Sequence, residues 1–440
     1  MKWLPLAALV LLLQACGGGS GSSPSEPLPP QACTALEQRQ SMRTFLNDQY
    51  YWYANLATAD SKAETLDGYF QSMLYKPLDR YSYTQSTAEY TSTFTEGRRT
   101  GYGYTVVWQD DTHTAVRVRN VEPFGPVARA GIMRGDTFLS IDGVGPEGII
   151  GGKLPTVTTE GVLRTIVVRD AAGVTRTVRL ISEDFALSPV AAKSTFDVSR
   201  AGAPVKVGYL AYHQFVTYSK GDVRLAFEEF ESAGISELVL DLRYNGGGSV
   251  TMSRDVASMI GGPRLADQMY AYLRFNDKQV GQNQRVPFNS AGTPLAYPLP
   301  EGLSRVVVIT SPGTASASEL LINGLKPFID VVVVGETTYG KPFGFIPRSE
   351  CGTTYNAVQF ETLNSLGFGK YTAGFTPDCV VPDDLDRPLG DPNEKRLKVA
   401  LDYVATGRCT SAQAPMSARI SPKAAARAYG ETVPAQMFLD

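Results

Sequence analysis

The chain has 440 residues, of which 43% are hydrophobic, and its formal net charge is only −3. A chain of this length can bury a full core and can hold two or three domains. Its near-neutral charge and its lack of any basic run or basic-aromatic alternation argue against a nucleic-acid partner.

Residues 1–15 predict an export signal, because a lysine precedes an apolar stretch that is too short to span a bilayer. The sequence LQAC that ends at Cys16 resembles the bacterial lipobox, in which the cysteine becomes the lipidated first residue. Secretion with an incidental Cys16 is the alternative. Residues 16–32 are rich in Gly, Ser and Pro, which predicts a flexible tether.

Gly17 after the cysteine does not resemble an inner-membrane retention signal. We therefore expect a lipoprotein of the bacterial cell envelope, in the outer membrane and facing the periplasm, with secretion or the cell surface as alternatives.

Residues 33–97 predict an N-terminal helical region, with a second helix around residues 66–74. Apolar and aromatic side chains recur at helical spacing in its first part, which indicates one buried face. The stripe consists of Met42, Phe45, Leu46, Tyr50 and Tyr53.

Residues 98–187 change to short strands. The strings TGYGYTVVW and ARAGIMRGDTFLSIDG together resemble a PDZ domain of the bacterial, permuted kind. This resemblance implies that the backbone N–H groups of one loop bind a peptide's terminal carboxylate and that the adjacent edge strand pairs with the peptide. The loop is Gly101, Tyr102, Gly103 and Tyr104, for which an ordinary β-turn is the alternative.

Residues 188–409 predict an α/β domain centred on residues 303–341. A β-branched run at 304–310, an amphipathic helix and a valine run at 330–335 form a βαβ unit with parallel strands. Parallel strands end at the same sheet edge, where open sheets keep their chemistry. Ser316 follows the first strand and Lys341 the second, so we expect their hydroxyl and amine to meet.

Both residues also have simpler interpretations. A serine at a helix start can serve as an acyl-enzyme nucleophile beside backbone N–H groups, but SASE at 316–319 also fits a capping box. Lys341 can act as a base only if burial lowers its pKa well below the free value of about 10.4. Its neighbours Tyr339, Pro342 and Phe343 allow such burial, and a solvated loop lysine is the alternative.

Three motifs carry a family resemblance: GTASASELL, the lysine of ETTYGK 25 residues after its central serine, and LVLDLRYNGGGSV upstream. Together they resemble the C-terminal processing, or tail-specific, serine peptidases over about residues 50–404. The resemblance implies a serine endopeptidase with Ser316 as nucleophile, Lys341 as general base and the Ala317 amide as an oxyanion donor. It assigns a second donor to Gly247, with Gly246 as the alternative.

The resemblance also implies the fold and the partners. We expect a multidomain α/β protein with the helical region, the PDZ domain and a peptidase core whose sheet is like that of ClpP and the crotonases. Expected substrates are polypeptides, engaged through free C-termini, and expected cofactors and metals are none. In the family the helical region packs on the peptidase or mediates a homodimer.

Other polar residues are weighed against this scheme. His213 lies in a predicted strand and is interpreted as structural, and Asp241 as ordering a strand end. Glu319 matches a family glutamate whose role is either structural or catalytic. Many members carry a glutamine that orients the lysine where this chain has Phe345, and Gln359 is a candidate substitute. Phe345 favours the alternative function, a catalytically degenerate relative that only binds peptide termini.

Four cysteines remain besides Cys16, and an even number in an exported chain favours disulfides over metal. Three pairings exist, of which we favour Cys351–Cys379 and Cys33–Cys409, because the former flank one β segment and the latter then tie the two ends of the fold. Residues 410–440 are rich in Ala and Pro and predict a loose C-terminal tail.

Overall fold

The computed structural model describes residues 33–109, 113, 115–292, 297–299, 301–410, 429–430 and 436–439. The predicted signal, the tether and Cys16 lie outside the described residues. Within these ranges, no helix is both long and apolar enough to cross a membrane.

The N-terminal region is helical as predicted, and it also contributes a strand. Its elements are α1 (Ala35–Gln49), α2 (Leu66–Met73), β1 (Tyr83–Ser86), α3 (Thr87–Tyr90) and a π-helical turn (Thr91–Glu96). Four members of the predicted stripe are buried in one cluster, whereas Tyr53 is only partly buried. The same cluster contains Tyr355 and Val358, which follow Cys351 in the α/β core, so this region packs on that core.

Residues 98–187 form an antiparallel β-domain with its own core. Its elements are β2 (Arg98–Gly101), β3 (Tyr104–Trp108), β4 (Val116–Val121), α4 (Pro126–Arg129), β5 (Thr137–Ile141), α5 (Pro146–Ile150), β6 (Leu163–Arg169), β7 (Thr175–Ile181) and β8 (Glu183–Ala186). Strands β3 to β7 form one sheet in chain order. β2 pairs with β8, so the chain enters and leaves the domain at the same place.

The α/β core contains the remaining elements up to residue 410. They are β9 (Val190–Arg200), β10 (Ala203–Tyr212), α6 (Lys220–Ala233), β11 (Glu237–Asp241), β12 (Gly247–Ser249), α7 (Val250–Gly261), β13 (Met269–Phe275), β14 (Gln284–Pro287), β15 (Arg305–Thr310), α8 (Ala317–Leu325), β16 (Asp330–Gly335), β17 (Phe343–Gly344), β18 (Arg348–Glu350), β19 (Thr353–Asn356), β20 (Phe360–Leu363), β21 (Cys379–Val380) and α9 (Lys395–Thr406).

The central sheet of this core has the order β21-β16-β15-β11-β10-β9, and only the β10–β9 pair is antiparallel. The predicted β15-α8-β16 unit is therefore confirmed, with its strands as parallel neighbours. Helices α6, α7 and α8 bury apolar faces on one side of the sheet, and α9 covers the other. The ends of β11, β15 and β16 consequently lie at one edge, where the glycine run, Ser316 and Lys341 follow them.

Two short parts of the C-terminal tail are paired with sheets rather than loose. β22 (Tyr429–Gly430) pairs antiparallel with β3, and β23 (Gln436–Phe438) pairs parallel with β12.

The predicted disulfide pairing was wrong. The bonds are Cys33–Cys351 and Cys379–Cys409, with Cα–Cα distances of 5.9 and 5.5 Å. Cys33 precedes α1, which lies beside the β18–β19 turn that carries Cys351, as the Ser41–Glu350 hydrogen bond shows. Cys379 lies on edge strand β21, and α9 crosses the sheet so that Cys409, just after it, ends beside this strand. Each bond thus ties a helix to a strand that is its neighbour only in three dimensions.

Candidate active site

Ser316 stands at the start of α8 in a strained conformation. The chain turns after β15 through a Ser311–Thr314 hydrogen bond and reaches Ser316 with φ 64° and ψ −114°. Such a conformation in a non-glycine residue costs about 1–3 kcal/mol and persists only where the surroundings impose it. The side chain is fully buried, and its Oγ has no hydrogen-bond partner among the described residues. Of the predicted capping box, the half in which Glu319 accepts from the Ser316 N–H is formed.

Lys341 is fully buried in the loop that follows β16. Its Nζ lies 4.7 Å from the centroid of the Phe345 ring and 5.9 Å from that of Tyr81. Burial lowers the pKa of Lys341 to about 7, against the opposing effect of the Asp79 and Glu319 charges. The structure thus excludes the solvated loop lysine, and near pH 7 much of the amine is neutral and able to accept a proton.

Glu319 joins the segments that carry these two residues. Its Oε2 accepts hydrogen bonds from the backbone N–H groups of Ser316 and Lys341, both at 2.8 Å. Its Oε1 accepts from the Gly340 N–H at 2.7 Å and from the Thr338 hydroxyl at 2.6 Å. The pKa of Glu319 is raised, because the effect of burial outweighs that of these hydrogen bonds. Because all four partners donate, they fit the carboxylate form, and Glu319 acts as a positioning residue.

The glycine run after β11 approaches Ser316 closely. Gly247 has φ 109°, and a Cβ added to it would lie 2.8 Å from Ser316 Cβ and 2.9 Å from Ala317 N. Only glycine fits at such distances, so the predicted Gly247, Ser316 and Ala317 are brought together. The Gly247 N–H itself donates to Asn245 Oδ1 at 2.9 Å.

Asn245 is a residue of the site that the sequence interpretation missed. Its Nδ2 donates to Tyr212 O at 2.9 Å, and its backbone carbonyl accepts from Ala315 N at 3.1 Å and Ser318 Oγ at 2.9 Å. These bonds hold the glycine run against the start of α8. The available signal was an Asn placed directly before glycines at a strand end, where its side chain can close a turn.

The structure does not join His213 to Ser316. His213 lies partly buried directly after β10, with its Nε2 shielded from solvent. Desolvation lowers its pKa to about 4, so the ring is neutral at neutral pH. Its Nε2, like Ser316 Oγ, has no hydrogen-bond partner among the described side and main chains. A Ser–His hydrogen bond is therefore absent from the described site, which agrees with the structural interpretation of His213.

Asp241 orders the end of β11, as the sequence interpretation had it. Its carboxylate accepts from Arg243 Nε at 3.0 Å and from the Tyr209 hydroxyl at 2.8 Å. Arg243 in turn makes paired bonds of 2.7 and 2.8 Å to Glu394 at the start of α9. This buried network links two elements of the sheet and leaves Asp241 fully engaged in structure.

The residues Gly101, Tyr102, Gly103 and Tyr104 lie in the β-domain, between β2 and β3. The two tyrosines pack in the core of that domain, separate from the cluster that contains Ala317. The Tyr102 hydroxyl donates to Val162 O at 2.8 Å, and Tyr102 O accepts from Val127 N at 3.0 Å.

Two further expectations concern groups near the site. Gln359, the candidate substitute for the orienting glutamine, donates from Nε2 to Ile346 O at 2.8 Å. In the part of the chain that the structure describes, no three His, Cys, Asp or Glu side chains are grouped so as to hold a metal ion.

Comparisons with known proteins agree with this site. Residues 206–353 match the model of peptidase family S41. The chain is 28% identical to a chloroplastic C-terminal processing peptidase of Tetradesmus obliquus, over 69% of this chain and 66% of the relative. It is 26% identical to a carboxyl-terminal-processing protease of Picosynechococcus sp., over 88% of this chain and 89% of the relative.

Solved structures share the fold. A putative S41 protease from Bacteroides fragilis has a TM-score of 0.65 at 25% identity and covers 86% of this chain and 99% of its own. A photosystem II D1 C-terminal processing protease has a TM-score of 0.52 at 21% identity and covers 85% and 99%. The fold and the site thus define an α/β peptidase of the serine class. The residues that match the peptidase family S41 model, 206–353, include Ser316 and Lys341. We therefore name the α/β core the peptidase core.

Proposed function

We propose that this protein is a serine endopeptidase that works through a Ser316–Lys341 dyad. The observation that carries the proposal is the combination of an unpartnered, buried Ser316 Oγ with a buried lysine whose pKa is about 7, both held by one carboxylate. An alanine in place of Ser316 and a methionine in place of Lys341 would stabilise the buried core more than the hydroxyl and the amine do. Packing therefore does not explain why these two polar groups are buried.

The reaction follows from these groups. Ser316 Oγ attacks the carbonyl carbon of the scissile peptide bond while its proton passes to Lys341 Nζ. The C–N bond then breaks, the leaving amine takes that proton, and an acyl-enzyme remains. Water attacks the ester with Lys341 again as base, which releases the acid product and restores the serine.

The negative charge on the carbonyl oxygen needs donors that are already in place. Ala317 N is in the first turn of α8, where backbone N–H groups have no partner within the helix. Gly247, next to it, supplies the second position in our proposal, in which its N–H turns from Asn245 to the oxyanion when substrate binds.

We further propose polypeptides with free C-termini as substrates, bound by residues 98–187 acting as a PDZ domain. The β3 strand begins at Tyr104, the last residue of this loop. Apart from its two-residue pairing with β22, β3 is the edge strand of the sheet β3 to β7. Pairing of a peptide with β3 would leave its terminal carboxylate near this loop.

The proposed location is the bacterial cell envelope, with a lipid anchor on Cys16. The change Cys16→Ser is expected to move the protein from the membrane fraction to the soluble fraction. Unchanged fractionation of this variant would disprove the anchor.

The catalytic proposal is tested with the full chain and an unfolded protein as substrate. Ser316→Ala and Lys341→Ala are each expected to abolish cleavage with the circular dichroism spectrum unchanged, because nucleophile and base act as a unit. Lys341→Arg is expected to fail too, since arginine stays protonated and cannot act as a base. Cleavage by Ser316→Ala at the wild-type rate would contradict the proposal and would favour a peptide-binding protein without this dyad.

A further inference from the structure

The tail strand β23 runs through the candidate active site and is bonded on both sides. On one side it pairs in parallel with β12, with Gln436 opposite Gly247, and Gln436 N donates to Gly246 O at 2.7 Å. On the other side, Phe345 N donates to Met437 O at 2.9 Å, and Leu439 N donates to Phe345 O at 3.1 Å. The tail therefore fills the gap between the glycine run and the segment after Lys341.

The Gln436 carbonyl lies at the centre of this gap. A Cβ added to Gly247 would overlap Gln436 O and would also lie 2.8 Å from Ser316 Cβ and 2.9 Å from Ala317 N. Gln436 O, the Ser316 side chain and Ala317 N are thus all close to Gly247. A scissile carbonyl would have to occupy this neighbourhood in the proposed reaction.

The side chains of the tail fill apolar pockets of the core. Met437 is fully buried within the main cluster of the peptidase core. Phe438 is buried against Val216, Phe345 and Phe94, with its ring centroid 5.5 Å from that of Phe94. An extended strand with main-chain bonds on both sides and alternate side chains in pockets is the general form in which proteins bind peptides.

The Gln436 side chain is buried close to the Tyr83 hydroxyl, but its Oε1 and Nε2 form no hydrogen bond of good geometry among the residues that the structure describes. The pocket around Gln436 is therefore polar, unlike the pockets of Met437 and Phe438.

The tail also contacts the proposed peptide-binding edge. Tyr429 pairs with Val106 and Gly430 with Thr105 on β3, in the antiparallel direction and next to Tyr104. One tail thus pairs with the edge strand β3 of the β-domain and also fills the gap between the glycine run and the segment after Lys341. We call this gap the cleft.

We propose that residues 436–439 are a cis-acting competitor of the substrate. The segment holds the cleft closed to other chains, and its pockets give the cleft a preference for extended substrates with a bulky apolar residue at the Met437 position and an aromatic one at the Phe438 position. This inference rests on the proposed peptidase function. A tethered segment competes at an effective concentration in the millimolar range, so even weak binding inhibits.

Removal of residues 436–440 is expected to lower KM for an unfolded protein substrate at least about tenfold and to leave kcat unchanged, because a competitor only reduces the fraction of open cleft. Met437→Asp is expected to do the same at full length, since it places a carboxylate in an apolar pocket. Leu366→Asp makes a similar change at a side chain that is 80% exposed and is the matched control, with unchanged kinetics expected. If the deletion variant does not fold, Phe438→Ala is the milder variant, and it too is expected to lower KM. An unchanged KM in Phe438→Ala contradicts the proposal.

The capped tetrapeptide Gln-Met-Phe-Leu is expected to inhibit the shortened protein competitively. The control peptide Gln-Asp-Phe-Leu, with a carboxylate at the Met437 position, is expected not to inhibit it. In a Ser316→Ala background, which cannot cleave, loss of residues 436–440 is expected to tighten binding of a fluorescent unfolded peptide by a similar factor. Equal KM values for full and shortened chains with normal cleavage would overturn this inference and leave the peptidase proposal intact. If the shortened chain binds the peptide more tightly but neither the full nor the shortened chain with Ser316 cleaves it, the peptidase proposal is contradicted and the inference about the tail stands.

Discussion

At the scale of single residues, the candidate site depends on burial. Ser316 and Lys341 are both fully buried, although a hydroxyl and an amine are normally exposed. Glu319 accounts for their placement, because its two oxygens receive four donors from two segments of chain, the start of α8 and the loop after β16. A carboxylate that binds both backbones sets the positions of the proposed nucleophile and base relative to each other.

The lowered pKa of Lys341 predicts a pH dependence of kcat/KM. The base must be neutral, so activity is expected to be low below pH 6, to rise through about pH 7 and to level off above pH 8. Initial rates on a short unfolded peptide from pH 5 to 9 measure this profile, with circular dichroism at each pH as the control for unfolding. A rate that is constant from pH 6 to 8 would show that Lys341 is not the titrating base.

The same pKa predicts that Lys341 destabilises the fold. Its pKa in the folded state lies below the unfolded value of about 10.4, so the unfolded chain binds more protons and stability from this group rises with pH between about 7 and 10.4. Lys341→Met is therefore expected to raise the melting temperature at pH 6 while it abolishes cleavage. A variant that is less stable than the wild type at pH 6 would contradict this assignment. The expected gain is on the order of a few kcal/mol.

At the scale of elements, the disulfides tie helices to strands. Cys33–Cys351 joins the start of α1 to the β18–β19 turn, and Cys379–Cys409 joins β21 to the end of α9. The second bond lies on the α9 side of the sheet, whereas Ser316 and α8 belong to the opposite side.

Replacement of Cys379 and Cys409 by alanine is therefore expected to lower stability by about 2–5 kcal/mol and to leave kcat unchanged at 25 °C. Thermal unfolding and peptide cleavage measure the two effects. Mass spectrometry of the unreduced, digested wild type is expected to contain the Cys33–Cys351 and Cys379–Cys409 peptides. A Cys351–Cys379 peptide would instead support the pairing that we first expected.

At the scale of the whole molecule, the β-domain and the peptidase core have separate apolar clusters but share polar contacts. Arg134 of the β-domain donates to the Tyr244 hydroxyl beside the glycine run and pairs with Asp383 at 3.1 Å. The Arg134 side chain is only 9% exposed and that of Asp383 24%, so this contact is more than a surface ion pair. Binding at one domain can therefore bear on the loop that carries Gly247.

This contact makes a comparison of two peptides informative. A peptide with a free apolar C-terminus is expected to be cleaved with a kcat/KM about tenfold to a hundredfold above that of the same peptide amidated, because one charge-assisted contact is lost. A difference in KM alone indicates tethering, and a difference also in kcat indicates that carboxylate binding helps to assemble the site. Equal kcat/KM values would show that residues 98–187 do not read C-termini.

Much of the fold could be predicted because the signals are local. The valine runs of β15 and β16, the amphipathic stripe of α8 and the stop at Pro327 each depend on a few neighbouring residues. The crossover rule then brings the two strand ends to one edge. Ser316 and Lys341 could be named for this reason, whereas Asn245 was missed because its role is to bridge two loops.

Tertiary structure alone decided the remaining features. Which cysteines pair depends on which elements become neighbours across the sheet, and of the three pairings that the sequence permits we favoured one that the structure does not contain. The neutral state of Lys341 depends on how completely Tyr81, Phe345 and the loop around it exclude water. The position of residues 436–439 depends on an open strand edge beside Gly247, which exists only once β11, β15 and β16 are assembled. Local sequence determines which strands and helices form, but burial, pairing across distance and competition for an edge are properties of the assembled chain, and these decide the chemistry of the site.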